Sequence, residues 1–132
     1  MPEEVTVVLG ASPNAMRYSH LAVKRLRQHG YAVLAVGRRD GTIGDVDIVR
    51  EVPPGTPVHT ITVYLNADNQ REWFDRVLAL HPRRIIFNPG AENSALTRRA
   101  QEAGIEVIEA CTLVMLSTGQ YMGGLGVVSR PA

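Results

Sequence analysis

Apolar and polar positions fall into blocks along the chain that are typical of alternating strands and helices. Residues 5–9 are apolar or β-branched and run directly into Gly10, after which a polar loop follows. Residues 17–29 then carry apolar side chains at helical spacing, and Gly30 stands where a glycine commonly ends a helix. The first 30 residues therefore predict a strand, a loop and a helix.

The rest of the chain continues this alternation. Apolar stripes predict a helix that ends before His81 and a second helix that Gly104 closes. Residues 45–57 resemble an irregular connection with one short extended piece around residues 46–49. Further apolar runs predict strands over residues 31–36, 60–65, 83–87 and 105–109.

This order of elements predicts an α/β fold. Residues 31–36 are apolar throughout, as in parallel strands that are covered by helices on both faces. Right-handed crossovers then favour a Rossmann-like, doubly wound parallel sheet of five strands in the order 3-2-1-4-5. We expect one domain over residues 1–132, with a Gly-rich tail from about residue 119 to 132 that has no assigned element.

The loop after the first strand predicts an anion site, because the N-terminal N–H groups of the next helix point at it. Of the Gly-x-Gly-x-x-Gly pattern only Gly10 is present, since Ser12 and Ala15 occupy the other two places. A plain strand-to-helix turn is the alternative interpretation. The candidate binding residues of this loop are Gly10, Ala11, Ser12, Pro13, Asn14, Arg17 and Ser19.

The loop after the second strand carries Gly37, Arg38 and Arg39. An NAD site has an acidic residue here that accepts from the ribose 2′-hydroxyl. Two guanidinium groups instead suit a phosphate, on the 2′-oxygen in NADP or on the 3′-oxygen in coenzyme A. The alternative is a pair of solvated loop arginines.

Further candidates follow the other strands at the same edge, where ligands of such sheets bind. Trp73 is in register with an apolar stripe, so the sequence favours a core residue over a base-stacking platform. The candidate binding residues of these loops are Tyr64, Leu65 and Asn66, and then Asn88, Pro89 and Gly90.

Composition narrows the classes of partner. Fourteen basic and thirteen acidic residues leave a net charge of +1, which favours neither nucleic acid nor an anionic membrane as partner. An acidic start and the absence of a long apolar run favour a cytoplasmic protein. Cys111 has no second cysteine for a disulfide, and the four histidines lack the spacing of metal ligands.

Together these segments resemble the small stand-alone CoA-binding proteins, which are single-domain relatives of the coenzyme A-binding domain of succinyl-CoA synthetase. Gly37-Arg38-Arg39 departs from the Asn-Pro-Lys of many relatives but keeps a cation, and Thr112 stands where relatives often have proline. The resemblance rests on residues 10–14 with Arg17 and Ser19, on His29-Gly30-Tyr31, on Ile43-Gly44 and on Cys111-Thr112.

The resemblance implies coenzyme A as the ligand, lying across residues 10–17. It further implies that Arg38 or Arg39 lies near the ribose phosphate and that Tyr64, Leu65 and Asn66 lie beside the pantetheine or the adenine. The departures leave NADP open as an alternative small-molecule ligand.

Catalysis is not expected from the sequence. The synthetase reaction uses a phosphorylated histidine in a second domain, and the residues show no Ser-His-acid set and no phosphate loop of the GxxxxGK type. Cys111 is the candidate nucleophile, with an inert cysteine as the alternative. Three hypotheses remain: a CoA-binding module that is not an enzyme, an NADP-dependent oxidoreductase or redox sensor, and a structural or interaction domain.

Overall fold

A computed structural model describes residues 3–122, and a seven-stranded sheet forms the centre of this part of the chain. The sheet order is β3-β4-β2-β1-β5-β6-β7. Strand β3 pairs antiparallel with β4, and every other pairing is parallel. The strands are β1 (Val5–Leu9), β2 (Val33–Val36), β3 (Thr42–Ile43), β4 (Val46–Val49), β5 (Val58–Val63), β6 (Arg84–Phe87) and β7 (Glu106–Glu109).

Helices cover both faces of the sheet, as expected of a doubly wound fold. Successive residues of a strand point to opposite faces, so Val7 packs with α3 and α4 whereas Val8 packs with α1 and α5. Within residues 3–122 no helix is long and apolar enough to cross a membrane. The helices are α1 (Tyr18–Gln28), α2 (Ala67–Gln70), a 3₁₀ turn (Arg71–Trp73), α3 (Phe74–Leu80), α4 (Ser94–Glu102) and α5 (Thr112–Ser117).

The prediction of five parallel strands is wrong in the number of strands and in the direction of one. Strands β3 and β4 form a hairpin around Gly44, and β4 then pairs in parallel with β2. The short extended piece predicted around residues 46–49 is strand β4, whereas its pairings with β2 and β3 depend on contacts that the local pattern does not show. In the predicted order 3-2-1-4-5, strand 3 lies beside β2. In the structure β4 occupies that position, and the segment predicted at residues 60–65 forms β5, which pairs directly with β1.

The predicted placement of the candidate loops at one edge is confirmed. Strands β2, β1, β5 and β6 are adjacent and parallel, so the loops after Val36, Leu9, Val63 and Phe87 all leave the sheet at its carboxyl edge. Strand β5 ends at Val63, two residues earlier than predicted, and this places Tyr64 and Leu65 in the loop.

The predicted Gly-rich tail lies mostly outside the described residues, which end at residue 122. Tyr121, near its start, is only 1% exposed and packs in the core between the sheet and α1. The first residues of this segment are therefore part of the fold.

Candidate functional site

A cleft of about 870 Å³ lies at the carboxyl edge of the sheet. Its volume is within the range of about 300–1,000 Å³ that is usual for small-molecule sites. Its walls come from the loops after β1, β2, β5 and β6 and from the start of α1. The sequence-predicted residues that line it are Gly10, Ala11, Ser12, Asn14, Arg17, Ser19, Gly37, Arg38, Arg39, Tyr64, Leu65, Asn66, Pro89 and Gly90.

Two candidates, Pro13 and Asn88, do not line the cleft and instead contact neighbouring segments of the fold. A Cβ atom added to Gly41 would lie 2.8 Å from the Cβ atom of Pro13, so Pro13 closes the contact between two loops. Asn88 is buried, and its amide nitrogen donates to the Thr62 hydroxyl at 2.7 Å. Its side-chain oxygen accepts from the backbone N–H of Thr112 at 2.9 Å, which ties the start of α5 to the sheet.

The loop between β1 and α1 is held by its own hydrogen bonds. Gly10 has a φ of +99°, a conformation that favours glycine, and its N–H donates to the Val36 carbonyl at 2.9 Å. The Ser12 hydroxyl accepts from the N–H of Asn14 at 3.1 Å, and the Ser12 carbonyl lies 3.0 Å from Nδ1 of His20. These contacts shape the loop without any ligand.

Gly37 is the point where this loop meets the loop after β2. A Cβ atom on Gly37 would lie 2.1 Å from the carbonyl oxygen of Ala11, which is far inside contact distance. Only glycine permits such an approach of two backbones. The contact holds Arg38 and Arg39 beside the β1–α1 loop.

The N-terminus of α1 carries no side-chain cap. Arg17 stands at the N-cap position in an extended conformation, and the first turn of the helix has no acidic residue. By contrast, the side chains of Asn66 and Asn93 cap α2 and α4. Free N–H groups and the helix dipole at this end, beside the buried Ser19, suit an anionic group.

Charge in the cleft is predominantly positive. Arg17, Arg38 and Arg39 are exposed, and within residues 3–122 none of them takes part in an ion pair. The acidic residue of the lining is Glu72, which lies 3.6 Å from Arg76. Three guanidinium groups in the cleft that also contains the start of α1 suit a ligand with several negative charges.

With this geometry in place, a comparison with protein families identifies the chain. The family described as CoA binding domain matches residues 4–117. The chain belongs to this family of CoA binding domains. No curated protein matches the chain.

Solved structures share the fold of this CoA binding domain. One uncharacterised protein is 43% identical, with a TM-score of 0.84 over 90% of this chain and 98% of its own. A hypothetical protein of Pyrococcus horikoshii OT3 is 18% identical, with a TM-score of 0.79 over 88% of this chain and 83% of its own. A protein of Thermus thermophilus is 23% identical, with a TM-score of 0.77 over 88% and 89%. The latter two likenesses concern the fold alone.

Sequence analysis missed several residues of the cleft in this CoA binding domain. Trp73 is half-buried; it packs against the core, as the sequence favours, and it also lines the cleft. The sequence signal for Trp73 was its short distance along the chain from Asn66, because the single helical turn between them brings the following residues back to the same edge of the sheet. The missed residues are Leu9, Met16, Tyr18, Val36, Asn69, Glu72 and Trp73.

Cys111, the candidate nucleophile, is half-buried at the N-cap of α5 and is not among the residues that line the cleft. The neighbouring Tyr64 does line it. Burial, followed by the electrostatic influence of the nearby Cys111, raises the pKa of Tyr64 well above its usual value. The Tyr64 side chain, which lines the cleft of the CoA binding domain, is therefore neutral at physiological pH.

Proposed function

We propose that the chain binds coenzyme A or an acyl-CoA through residues 10–17, as a binding module without catalysis of its own. The observation that carries the proposal is a set of three arginines that share the cleft with the uncapped start of α1 and have no ion-pair partners within residues 3–122: Arg17, Arg38 and Arg39. Coenzyme A has a pyrophosphate and a 3′-phosphate, which match this arrangement of charge.

The order of the strands suggests how the ligand lies. The pyrophosphate rests on the N-terminus of α1, above β1, and the 3′-phosphate faces Arg38 and Arg39 at the end of β2. The pantetheine then extends toward the loops that follow β5 and β6, along Leu65 and Asn66.

NADP is the second candidate, and the same arginines favour it over NAD. Its 2′-phosphate would meet Arg38 and Arg39, where an NAD site has a carboxylate. The chain would then be an oxidoreductase or redox-sensing domain. Nicotinamide reduction above a blank without protein would support this candidate, whereas the binding-module proposal expects none.

The proposal is tested by measuring the dissociation constants of CoA, dephospho-CoA, NAD and NADP by calorimetry. A charge-assisted hydrogen bond contributes about 1.5–3 kcal/mol, so we expect CoA to bind at least about tenfold more tightly than dephospho-CoA. The double variant Arg38→Ala, Arg39→Ala should remove this ratio and leave the affinity for dephospho-CoA nearly unchanged, because the pyrophosphate still rests on α1.

The matched control is Arg25→Ala, Arg98→Ala, which removes two exposed arginines that do not line the cleft. This variant should keep the preference for CoA. Equal affinity of the native protein for CoA and dephospho-CoA would contradict the role of Arg38 and Arg39. Tighter binding of NADP than of either CoA form would favour the oxidoreductase.

A further inference from the structure

The two ends of the cleft differ in chemistry. The end beside β2 carries Arg38 and Arg39. The end beyond β5 carries Leu65, Trp73 and Glu72, together with the neutral amides of Asn66 and Asn69. One end is therefore cationic, whereas the other has apolar and neutral polar walls and a single carboxylate.

This difference sets the direction of an extended CoA molecule, if the proposed function holds. The adenosine half carries the additional phosphate, so it is drawn to the arginines. From β2 to β6 the sheet spans three strand spacings, or about 14 Å. The thiol, and any acyl group on it, then lies at the end formed by Leu65, Trp73 and Glu72.

Trp73 makes that end a rigid aromatic wall. The guanidinium carbon of Arg76 lies 3.8 Å from the centroid of the indole, and the ring packs against the core. An aromatic side chain held in this way offers a flat apolar contact at little cost in conformational entropy. It is also the single tryptophan of the chain, so its fluorescence reports on this end of the cleft.

Glu72 gives the same end a negative charge that is only partly compensated. Its carboxylate lies 3.6 Å from Arg76, but Arg76 is also 3.8 Å from Glu51. One guanidinium is thus shared between two carboxylates. Of these two, Glu72 lines the cleft and Glu51 does not.

We propose that the cleft selects acyl-CoA thioesters whose acyl group is neutral and apolar, and that it disfavours acyl groups with a free carboxylate. Trp73 provides the apolar contact, and Glu72 repels a second carboxylate. This inference rests on the proposed function and adds the class of acyl group to it.

The test compares butanoyl-CoA with succinyl-CoA, two four-carbon thioesters that differ by a methyl group in place of a carboxylate. Their dissociation constants are measured by calorimetry and by quenching of Trp73 fluorescence. Two carboxylates about 4 Å apart in water repel by an amount that corresponds to about a fivefold change in affinity. We therefore expect butanoyl-CoA to bind about fivefold more tightly than succinyl-CoA.

Substitutions at two exposed glutamates separate the effect of the carboxylate in the cleft from that of the charge around it. Glu72→Gln should bring the two affinities within about twofold. Glu51→Gln, which removes the other partner of Arg76, should keep most of the preference. A third variant, Trp73→Leu, should lower the affinity for benzoyl-CoA about two- to tenfold relative to butanoyl-CoA, because an aromatic pair is lost.

The outcomes are distinguishable. If CoA itself does not bind, the proposed function fails, and the acyl inference fails with it. If CoA binds but succinyl-CoA binds as tightly as butanoyl-CoA, or if the two glutamate variants behave alike, the acyl inference is overturned and the proposed function stands. If the thioesters bind but none of them changes the fluorescence of Trp73, the acyl inference is also overturned.

Discussion

At the scale of the residue, the shape of the cleft depends on the glycine at position 37, which also lines it. The missing side chain of Gly37 lets the carbonyl oxygen of Ala11 approach to a distance that no Cβ atom permits. That approach brings the β1–α1 loop and Arg38 together, although 26 positions separate Gly37 from Ala11 along the chain. The shape of the cleft therefore depends partly on the lack of a side chain at position 37.

We expect Gly37→Ala to weaken both the fold and ligand binding. The added methyl group forces the two backbones apart, and overpacking of this kind costs about 1–3 kcal/mol. Urea unfolding should show this loss, and calorimetry should show a weaker affinity for CoA. Gly104→Ala is the control: Gly104 has a φ of +81° and open space around it, so this variant should lose stability but bind CoA normally.

At the scale of the element, α1 has a well-packed inner face but no side-chain cap at its N-terminus. Val23 and Leu26 are fully buried, so its inner face is held by the core. Arg17 provides no cap at its start, whereas α2 and α4 are capped by asparagine side chains. Free N–H groups at a helix start are satisfied by side chains, by water or by a ligand. The ligand phosphates would satisfy this helix end.

Tyr18→Glu should therefore change stability and binding in opposite directions. Tyr18 is the first residue of α1 and is 75% exposed, so a carboxylate there can interact with the helix dipole. We expect the free protein to gain about 0.3–1 kcal/mol, measured by thermal or urea unfolding.

The affinity for CoA should fall at the same time, because the new carboxylate repels the ligand phosphates. Tyr18→Gln removes the aromatic ring without adding charge, so the difference between the two variants isolates the charge effect. If Tyr18→Glu bound CoA as tightly as Tyr18→Gln, the phosphates would not lie on this helix end.

At the scale of the whole molecule, the segment that contains α5 and Tyr121 joins the two edges of the sheet. Its start is tied to the carboxyl edge, where the Thr112 hydroxyl lies 2.8 Å from that of Thr62. At its other end, the Tyr121 hydroxyl lies 2.6 Å from that of Thr6, and Arg84 donates to the Tyr121 carbonyl at 2.6 Å. The same guanidinium lies 4.5 Å from the Tyr121 ring centroid.

Tyr121→Phe should reduce stability without changing ligand affinity. The substitution leaves the buried Thr6 hydroxyl without this partner, at a cost of about 1–3 kcal/mol. Urea unfolding should reveal the loss, and the dissociation constant for CoA should stay the same because Tyr121 does not line the cleft. Tyr18→Phe, at an exposed position, serves as the control and should leave stability nearly unchanged. An equal effect of both variants would contradict the role of the Tyr121 hydroxyl.

Local patterns in the sequence predicted much of the fold. Apolar runs located β1, β2, β5 and β6 within two residues at each end, because strands covered on both faces need continuous apolar segments. The edge strand β7 was located as closely from a shorter, partly alternating run. The parallel connections between them required the candidate loops to share the carboxyl edge. The extended piece at residues 46–49 was predicted, but its hairpin with β3 was not, because Thr42–Ile43 is too short to form a pattern and the pairing depends on the neighbouring β2.

The sequence by itself determined the α/β class, the family resemblance and the identity of the arginines after β1 and β2, because these depend on residues that are close together along the chain. Only the tertiary structure decided which side chains face the cleft. Asn88 does not line it, because hydrogen bonds of its side-chain amide join β5, β6 and α5. Glu72 and Trp73 do line it, because α2 ends after one turn. Such positions depend on contacts between distant segments, and these contacts exist only once the sheet and its helices have packed together.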